Sequence, residues 1–283
     1  MNALSKELQN MGHSVDHRTA IHSSLWESAP YRPQLAVRAV LDHYLLRKAT
    51  YPAPISLLRT ASRRLLEPKE HYRFAVLGWL PGLLTAKDFA QLRDTVTAIR
   101  LPDEHVYTGG CHYASDCTGF IYGCANCPAV RKSFSHLIPN SLEDKRAKYS
   151  LIKQKAFVAP SQWIASRASK SDLLKNEKIV VIRNPISRVF FRTSGHLRAP
   201  SFTILFVASQ VFDPVKGFGE IAKDLEKLAT RIGAEVRVVG HAGRKASEYP
   251  NFTFLGRVGG VELAREYSRA WVTIVPSRNE ASG

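Results

Sequence analysis

The sequence predicts an α/β protein with two domains. Strand-like apolar runs alternate with amphipathic helical segments, most clearly in the last third of the chain, and this alternation predicts a parallel sheet covered by helices. A polar segment with a glycine and a proline, residues 191–201, has the composition of a linker. We therefore expect an N-terminal domain at residues 1–192 and a C-terminal domain at residues 201–283.

The N-terminal domain is predicted to mix helices with strands. Leu4, Leu8 and Met11 recur at helical spacing, and Gly12 is suited to end that helix. Ser161 is a candidate N-cap of a later helix. The further helices are predicted at 33–48, 55–67, 86–94, 141–154 and 161–174, and the strands at 74–80, 95–101, 156–161 and 178–184.

The C-terminal domain has the clearer pattern. Apolar side chains from Phe218 to Ile232 fall on one helical stripe, which Gly233 ends. A second helix is expected at 261–270, and strands at 201–209, 235–240, 252–256 and 271–277. In an open parallel sheet, ligands bind beyond the carboxyl ends of the strands, so the loops after these strands are the first place to search for a site.

Composition limits the classes of binding partner but does not identify one of them. The chain of 283 residues has a formal charge of +16, a field that attracts nucleic acid, anionic membrane surfaces or phosphorylated ligands. Its N-terminus lacks the pattern of a signal peptide, and its most apolar window, 74–84, is too short to cross a bilayer and contains Pro81. We expect a cytoplasmic protein that is soluble or peripheral to a membrane.

The four cysteines of the chain all lie in one loop at residues 108–130. Only Cys124 and Cys127 form the CxxC pair that is typical of zinc sites, and Cys111 and Cys117 precede them at wider spacing. One interpretation is a tetrahedral zinc site made by the four thiolates, with His112 as an alternative ligand. The other is a folded loop that packs four reduced thiols, as a reducing cytosol allows.

Two charged residues follow predicted strands of the C-terminal domain. Lys216 and Gly217 precede the helix that begins near Phe218, where an ammonium and free backbone N–H groups suit a diphosphate. Glu280 follows the last strand, where a carboxylate can accept hydrogen bonds from sugar hydroxyls. The plainer interpretation is a solvated loop lysine and a surface glutamate near the end of the chain.

Taken together, four stretches resemble bacterial glycosyltransferases of the GT-B fold, in retaining family four, near the colanic-acid and exopolysaccharide branch. The cysteine loop is the most specific of them. The stretches are residues 107–130, 157–187, 204–221 and 263–283.

This resemblance implies two Rossmann-like domains that face each other across a cleft. The N-terminal domain would bind a saccharide or lipid-linked acceptor, and the C-terminal domain a UDP- or GDP-sugar donor. By the same resemblance, Lys216 contacts the donor diphosphate, Glu280 contacts the sugar, and both act in catalysis. The positive surface would serve peripheral contact with the anionic inner face of the plasma membrane, and no specific nucleic acid is expected.

Several positions depart from the family pattern. The family's first strand with its Gly-rich loop and its second glutamate have no counterpart here, so the resemblance implies that both ends of the fold are missing. Pro102-Asp103 stands where the family tends to have His-Asp, Gly78 replaces another histidine, and Ser209-Gln210 occupy the place of a second basic donor residue. An inactive remnant of a transferase is therefore an alternative. A basic, zinc-containing nucleic-acid-binding protein is another, although the basic residues are spread along the chain.

Overall fold

The computed structural model describes residues 2–17, 71–78, 84–192 and 198–282. The chain divides into two compact units between Arg183 and Asn184. The helices predicted at 33–48 and 55–67 lie outside the described residues. Among the helices that are described, none is long and apolar enough to cross a membrane.

The first unit contains a parallel sheet of four strands in the order β1-β2-β3-β4. These strands and the helices around them follow the predicted alternation closely. The elements are α1 (Asn2–Asn10), β1 (Phe74–Leu77), α2 (Ala86–Gln91), β2 (Val96–Arg100), α3 (Leu137–Ser150), β3 (Lys155–Ala159), α4 (Gln162–Lys170) and β4 (Ile179–Val181).

Two helix ends in this unit confirm their predicted signals. Gly12 has a left-handed φ of 85° just beyond α1, a conformation that glycine adopts without steric cost. Ser161 caps α4, since its side chain accepts a hydrogen bond from the N–H of Ile164. Helix α3, however, begins four residues before its predicted start, because Pro139 lies in the first turn, where no N–H donor is needed.

The core of the first unit lies between its sheet and helices α3 and α4. Ile99 of β2, Phe157 of β3 and Ile164 of α4 are fully buried. Tyr149 of α3 packs edge-on against Phe157, with ring centroids 5.4 Å apart. The long loop between β2 and α3, which carries the cysteines, lies next to the buried face of α3.

The second unit contains a parallel sheet of four strands in the order β7-β6-β5-β8. The sequence prediction of a parallel α/β arrangement is therefore confirmed for both units. The elements are α5 (Val189–Arg192), β5 (Thr203–Gln210), α6 (Phe218–Ile232), β6 (Glu235–His241), β7 (Phe252–Gly256), α7 (Gly260–Arg269) and β8 (Val272–Ile274).

The core of the second unit is aromatic and aliphatic. Phe206 of β5 stacks on Phe218 of α6 with ring centroids 4.4 Å apart, and both are almost completely buried. Helix α6 ends at Gly233 in the left-handed conformation, as predicted. The stacked pair fixes the start of α6 against the middle of the central strand, so the loop that joins them has little freedom.

The short helix α5 belongs to the second unit. Phe190 packs edge-on against Tyr267 of α7, with ring centroids 6.1 Å apart. The division between Arg183 and Asn184 places α5 in the second unit.

A charge network attaches α7 to the sheet. The guanidinium of Arg237, on β6, donates to both carboxylate oxygens of Glu266 at 2.7 and 2.9 Å, and to Glu235 at 2.6 Å. Such paired N–H···O bonds fix geometry as well as charge. Helix α7 is thereby held in one register against β6.

Gly240 marks the point where the pairing of β5 and β6 changes register. Its φ is 131°, and a Cβ atom built there would lie 1.7 Å from the carbonyl oxygen of Ala208. The two strands thus approach each other more closely than any side chain allows. The cleft described below begins immediately beyond this point.

Gly240→Ala should destabilise the protein by about 3 kcal/mol or more, because it adds a backbone clash to the strain of a positive φ. The matched control is Gly256→Ala, at φ 67°, where no atom lies within 4 Å of the added Cβ. That control should cost only about 1–2 kcal/mol. Urea unfolding followed by circular dichroism measures both, and equal losses would contradict the close approach at Gly240.

Candidate functional site

The carboxyl edge of the second sheet carries a cleft of about 460 Å³. It lies where β5 and β6 end, as expected for a ligand site in a parallel sheet. Gln210 and His241, the last residues of β5 and β6, line it, and so do Asp213 from the loop after β5 and Lys245 from the loop after β6. The remaining lining residues are Phe212, Ala242 and Gly243.

Lys216 lies in a short 3-10 turn, Pro214–Lys216, between β5 and α6. The carboxylate of Asp213 accepts the N–H of Val215 at 2.9 Å and so caps this turn. Asp213 also lines the cleft, which places the turn of Lys216 at the same edge of the sheet. Lys216 therefore lies just before α6, as the sequence predicts.

Gly217 joins this turn to α6 in the left-handed conformation, with φ 70°. A Cβ atom at this position would lie 2.2 Å from the carbonyl oxygen of Pro276. The segment after β8 is therefore in direct contact with the start of α6. Within the part of the chain that the structure describes, no side chain caps the first turn of α6, and the Glu220 carboxylate is the acidic group of that turn.

Lys216 and Glu280, which are 64 residues apart, meet in an ion pair. The Lys216 Nζ lies 2.7 Å from Glu280 Oε1, and the two side chains are 27% and 30% exposed. The structure thus brings together the two residues that the sequence singled out separately. An ammonium, a carboxylate and a helix N-terminus at one place can bind a phosphate beside a hydroxyl-bearing group.

Backbone and side-chain contacts fix the segment that carries Glu280. The N–H of Arg278 donates to the carbonyl oxygen of Val215 at 2.9 Å. The Arg278 guanidinium pairs with Glu220, in the first turn of α6, at 2.7 Å. Together with the Gly217 contact, these bonds hold Glu280 beside Lys216.

Phe212 and Lys245 are site residues that the sequence analysis missed. The Lys245 Nζ lies 5.5 Å from the centre of the Phe212 ring, a cation–π distance, and both line the cleft. Lys245 supplies a second basic group where the sequence offered only Ser209 and Gln210. Lys245 could have been predicted from its position in the loop after β6, because loops that follow neighbouring parallel strands meet at one edge of the sheet.

In the first unit, three of the four cysteines belong to one packed cluster. Cys124 Sγ accepts the N–H of Gly109 at 3.4 Å, and Cys117 Sγ accepts the N–H of Gly119 at 3.4 Å. Cys111, Cys124 and Cys127 pack together against a small buried cluster, whose members are Ala129, Val130 and Ile138. Among the residues that the structure describes, however, no group of three or more Cys, His, Asp or Glu side chains is arranged to hold a metal ion.

The thiols differ in their acidity because their surroundings differ. Cys111 donates a hydrogen bond to Cys127, which raises the pKa of Cys111 and lowers that of Cys127. The backbone N–H groups of Ala129 and Val130 lower the pKa of Cys127 further. Burial raises the pKa of Cys124.

Lys145 of α3 is buried next to this loop. Its Nζ donates to the carbonyl oxygens of His105 and Thr108, the latter at 2.8 Å. Burial lowers the pKa of Lys145 to about 7, and the thiols of Cys111 and Cys124 act in the opposite direction. A primary amine thus lies within electrostatic reach of the cysteine cluster.

Two buried carboxylates anchor the start of the cysteine loop. Glu104 is fully buried and accepts from Arg167 Nε at 2.6 Å, from the Tyr107 hydroxyl at 2.9 Å and from the N–H of Ala114 at 2.6 Å. Asp103 contacts the ring of His112, with Nδ1 at 2.7 Å from Oδ2. Neither acid could be paired from the sequence, because Arg167 is 63 residues from Glu104 and His112 is nine residues from Asp103.

The comparisons with known proteins add no family assignment. No protein-family model matches the chain, and no curated protein matches its sequence. The functional interpretation therefore depends on the geometry of the residues described above and on the resemblance of their motifs.

Arg167→Met should destabilise the first unit by about 3 kcal/mol, because it leaves the buried Glu104 carboxylate without its charged partner. The expected loss is at the lower end of the range for buried pairs, since the Arg167 side chain is 22% exposed. Thermal and urea unfolding of the full chain measure the change.

Arg146→Met provides the matched control. Arg146 pairs with Asp172 at 2.7 Å, but both side chains are partly exposed, so this loss should stay below about 1 kcal/mol. If the two variants lose the same stability, the Glu104–Arg167 pair does not anchor the cysteine loop.

Proposed function

We propose that the chain is a glycosyltransferase of the GT-B type that binds a nucleotide-sugar in its C-terminal unit. The observation that carries the proposal is the meeting of Lys216 and Glu280 beside the uncapped start of α6, at the carboxyl edge of a parallel sheet. By the resemblance, Lys216 binds the diphosphate and Glu280 binds the sugar. These two groups are adjacent in a nucleotide-sugar, so the contact of Lys216 with Glu280 supports the assignment.

The chemistry of the site fits a diphosphate. A diphosphate is a dianion or more at neutral pH, and rigid helix N–H groups with an adjacent lysine bind such a charge favourably. Lys245 lines the cleft at the same edge of the sheet and adds a second positive charge beside Phe212. Two basic side chains on loops at this edge would favour a nucleoside diphosphate there.

Transfer would break the bond between the anomeric carbon of the sugar and the diphosphate oxygen. Negative charge then develops on the leaving diphosphate, and Lys216 with the start of α6 would stabilise it. Glu280 would accept hydrogen bonds from sugar hydroxyls and hold the sugar beside that oxygen. The anomeric carbon would bond to an acceptor hydroxyl oxygen, whose proton would pass to the leaving diphosphate. The products would be a glycosylated saccharide or lipid-linked acceptor, with the anomeric configuration retained, and a nucleoside diphosphate.

The basic surface supports an acceptor at an anionic interface. A formal charge of +16 would favour peripheral association with the inner face of a membrane, where lipid-linked acceptors reside. This placement, in cell-surface or exopolysaccharide synthesis, belongs to the same proposal.

Lys216→Ala should weaken the binding of UDP or GDP by about 10- to 100-fold, the worth of one hydrogen bond to a charged group. Lys227→Ala is the matched control, since Lys227 lies on α6, the helix that follows the turn of Lys216, and is highly exposed and paired with Asp224. That control should bind nucleotide as the wild type does. Isothermal titration calorimetry on the full chain measures all three proteins.

Glu280→Gln separates the two roles. Its affinity for UDP or GDP should equal or exceed that of the wild type, because the carboxylate that competes for Lys216 is removed. Its affinity for the matching nucleotide-sugar should increase less than this, or decrease, because Glu280 no longer holds the sugar. Failure of the wild type to bind any nucleotide would support the inactive-remnant alternative. If the wild type and Lys216→Ala bind nucleotide with equal affinity, Lys216 only pairs with Glu280 and does not bind the diphosphate.

A further inference from the structure

An exposed tryptophan lies at the carboxyl edge of the first sheet. Trp163 is in the first turn of α4, just after β3, and it is 41% exposed. The loops that follow parallel strands meet at this edge, which is where such sheets bind ligands. Aromatic side chains are common in ligand sites because they bury a large apolar area. The place of this indole in the fold therefore makes it a candidate ligand contact.

A row of contacts joins the indole to the core of the first unit. The guanidinium carbon of Arg167, one turn further along α4, lies 5.0 Å from the centre of the Trp163 ring and 4.9 Å from that of Phe120. Both are cation–π distances. Phe120 in turn packs edge-on against Tyr107, with ring centroids 5.6 Å apart, and both of these rings are buried.

Buried polar partners fix the position of Arg167. Its Nε donates to the fully buried carboxylate of Glu104 at 2.6 Å, and its Nη2 donates to the carbonyl oxygen of Ser115 at 3.3 Å. Glu104 is in the loop after β2, whereas Arg167 is on the helix after β3, so the pair joins two loops of the same edge. Side chains that are already held in this way lose little conformational freedom when a ligand binds.

The fold accounts for Arg167 without the indole. Glu104 supplies its charge partner and Phe120 a buried aromatic neighbour. The Arg167 side chain is nevertheless 22% exposed, and its guanidinium has more N–H donors than Glu104 and Ser115 accept. An aromatic ring and N–H donors therefore reach the surface beside each other at the edge where a ligand is expected.

We propose that Trp163 and Arg167 form a subsite that binds one pyranose ring of the acceptor saccharide. A pyranose has an apolar face of C–H groups and a rim of hydroxyls, which match an aromatic ring and N–H donors respectively. The sugar would stack on Trp163, and one of its hydroxyls would accept a hydrogen bond from Arg167. This inference rests on the proposed function, because a glycosyltransferase needs an acceptor site in addition to its donor site.

A nucleobase is the competing occupant, since it also stacks on aromatic side chains. The proposed donor site, however, places the nucleotide in the second unit, near Lys216. Trp163 lies in the first unit, and the observations favour a saccharide there. Binding of a nucleotide at Trp163 is accordingly an outcome that would contradict the proposal.

Fluorine NMR of the full chain labelled with fluorotryptophan provides the test. Trp163→Phe identifies the Trp163 resonance by its loss. The probes are maltose, cellobiose, lactose and chitobiose, each titrated alone, together with UDP. At least one disaccharide should shift the Trp163 resonance in a saturable manner. A resonance that responds to none of the disaccharides, or to UDP alone, would overturn the proposal.

Trp271 is the matched internal control. It is 42% exposed and its ring centre lies 5.2 Å from the guanidinium carbon of Arg198, so its exposure and its cation contact resemble those of Trp163. It precedes β8, however, and so lies at the amino edge of the second sheet, opposite the edge that binds ligands. Its resonance should not respond to the disaccharides. Equal shifts of the two resonances would indicate non-specific contact with exposed tryptophan and contradict the proposal.

Variants separate this inference from the proposed function. Trp163→Ala should weaken disaccharide binding by about 10-fold or more, and Trp163→Phe by less, because a phenyl ring keeps a stacking face. Calorimetry should show that Trp163→Ala binds UDP or GDP as the wild type does. Undiminished disaccharide binding by Trp163→Ala would overturn the subsite and leave the donor site intact. Disaccharide binding by a wild type that binds neither nucleotide would support the saccharide subsite and contradict the proposed function.

Discussion

Parallel strand pairing is the constraint on which the arrangement of this chain depends. Each parallel strand must be followed by a crossover, so the carboxyl ends of all strands in a sheet meet at one edge. In the second unit this edge receives the loops after β5, β6 and β8, which carry Lys216, Lys245 and Glu280. Lys216 and Glu280, which are 64 residues apart, are in contact there because the loops that carry them meet at this edge.

Within this constraint, a few contacts decide where the side chains lie. The stacking of Phe206 on Phe218 fixes the start of α6, and Gly240 and Gly217 permit two backbone approaches that a Cβ atom would prevent. The site is thus shaped by close packing at its base and by charge at its surface. In the first unit, the buried pair of Glu104 and Arg167 fixes the start of the cysteine loop in a comparable way.

Local signals in the sequence predicted much of the fold and less of the site. Helix α6 and its end at Gly233 could be predicted because apolar periodicity and a left-handed glycine are both local. The early start of α3 was missed because Pro139 reads as a boundary although the first helical turn tolerates it. The contact of Lys216 with Glu280, and the place of Lys245 beside Phe212, depend on tertiary packing that no local pattern encodes. The same holds for the N–H donors around the cysteines.

The contact between Pro276 and Gly217 has a consequence for the order in which the protein forms during synthesis. Strand β5 and helix α6 leave the ribosome well before β8, yet the turn of Lys216 is completed only when the Pro276 carbonyl and the Arg278 N–H reach it. Long-range contacts of this kind close late, since the chain entropy of the intervening loop must be lost first. A nascent chain that has not yet released residues 272–280 therefore leaves this edge of β5 unpaired and the turn of Lys216 incomplete.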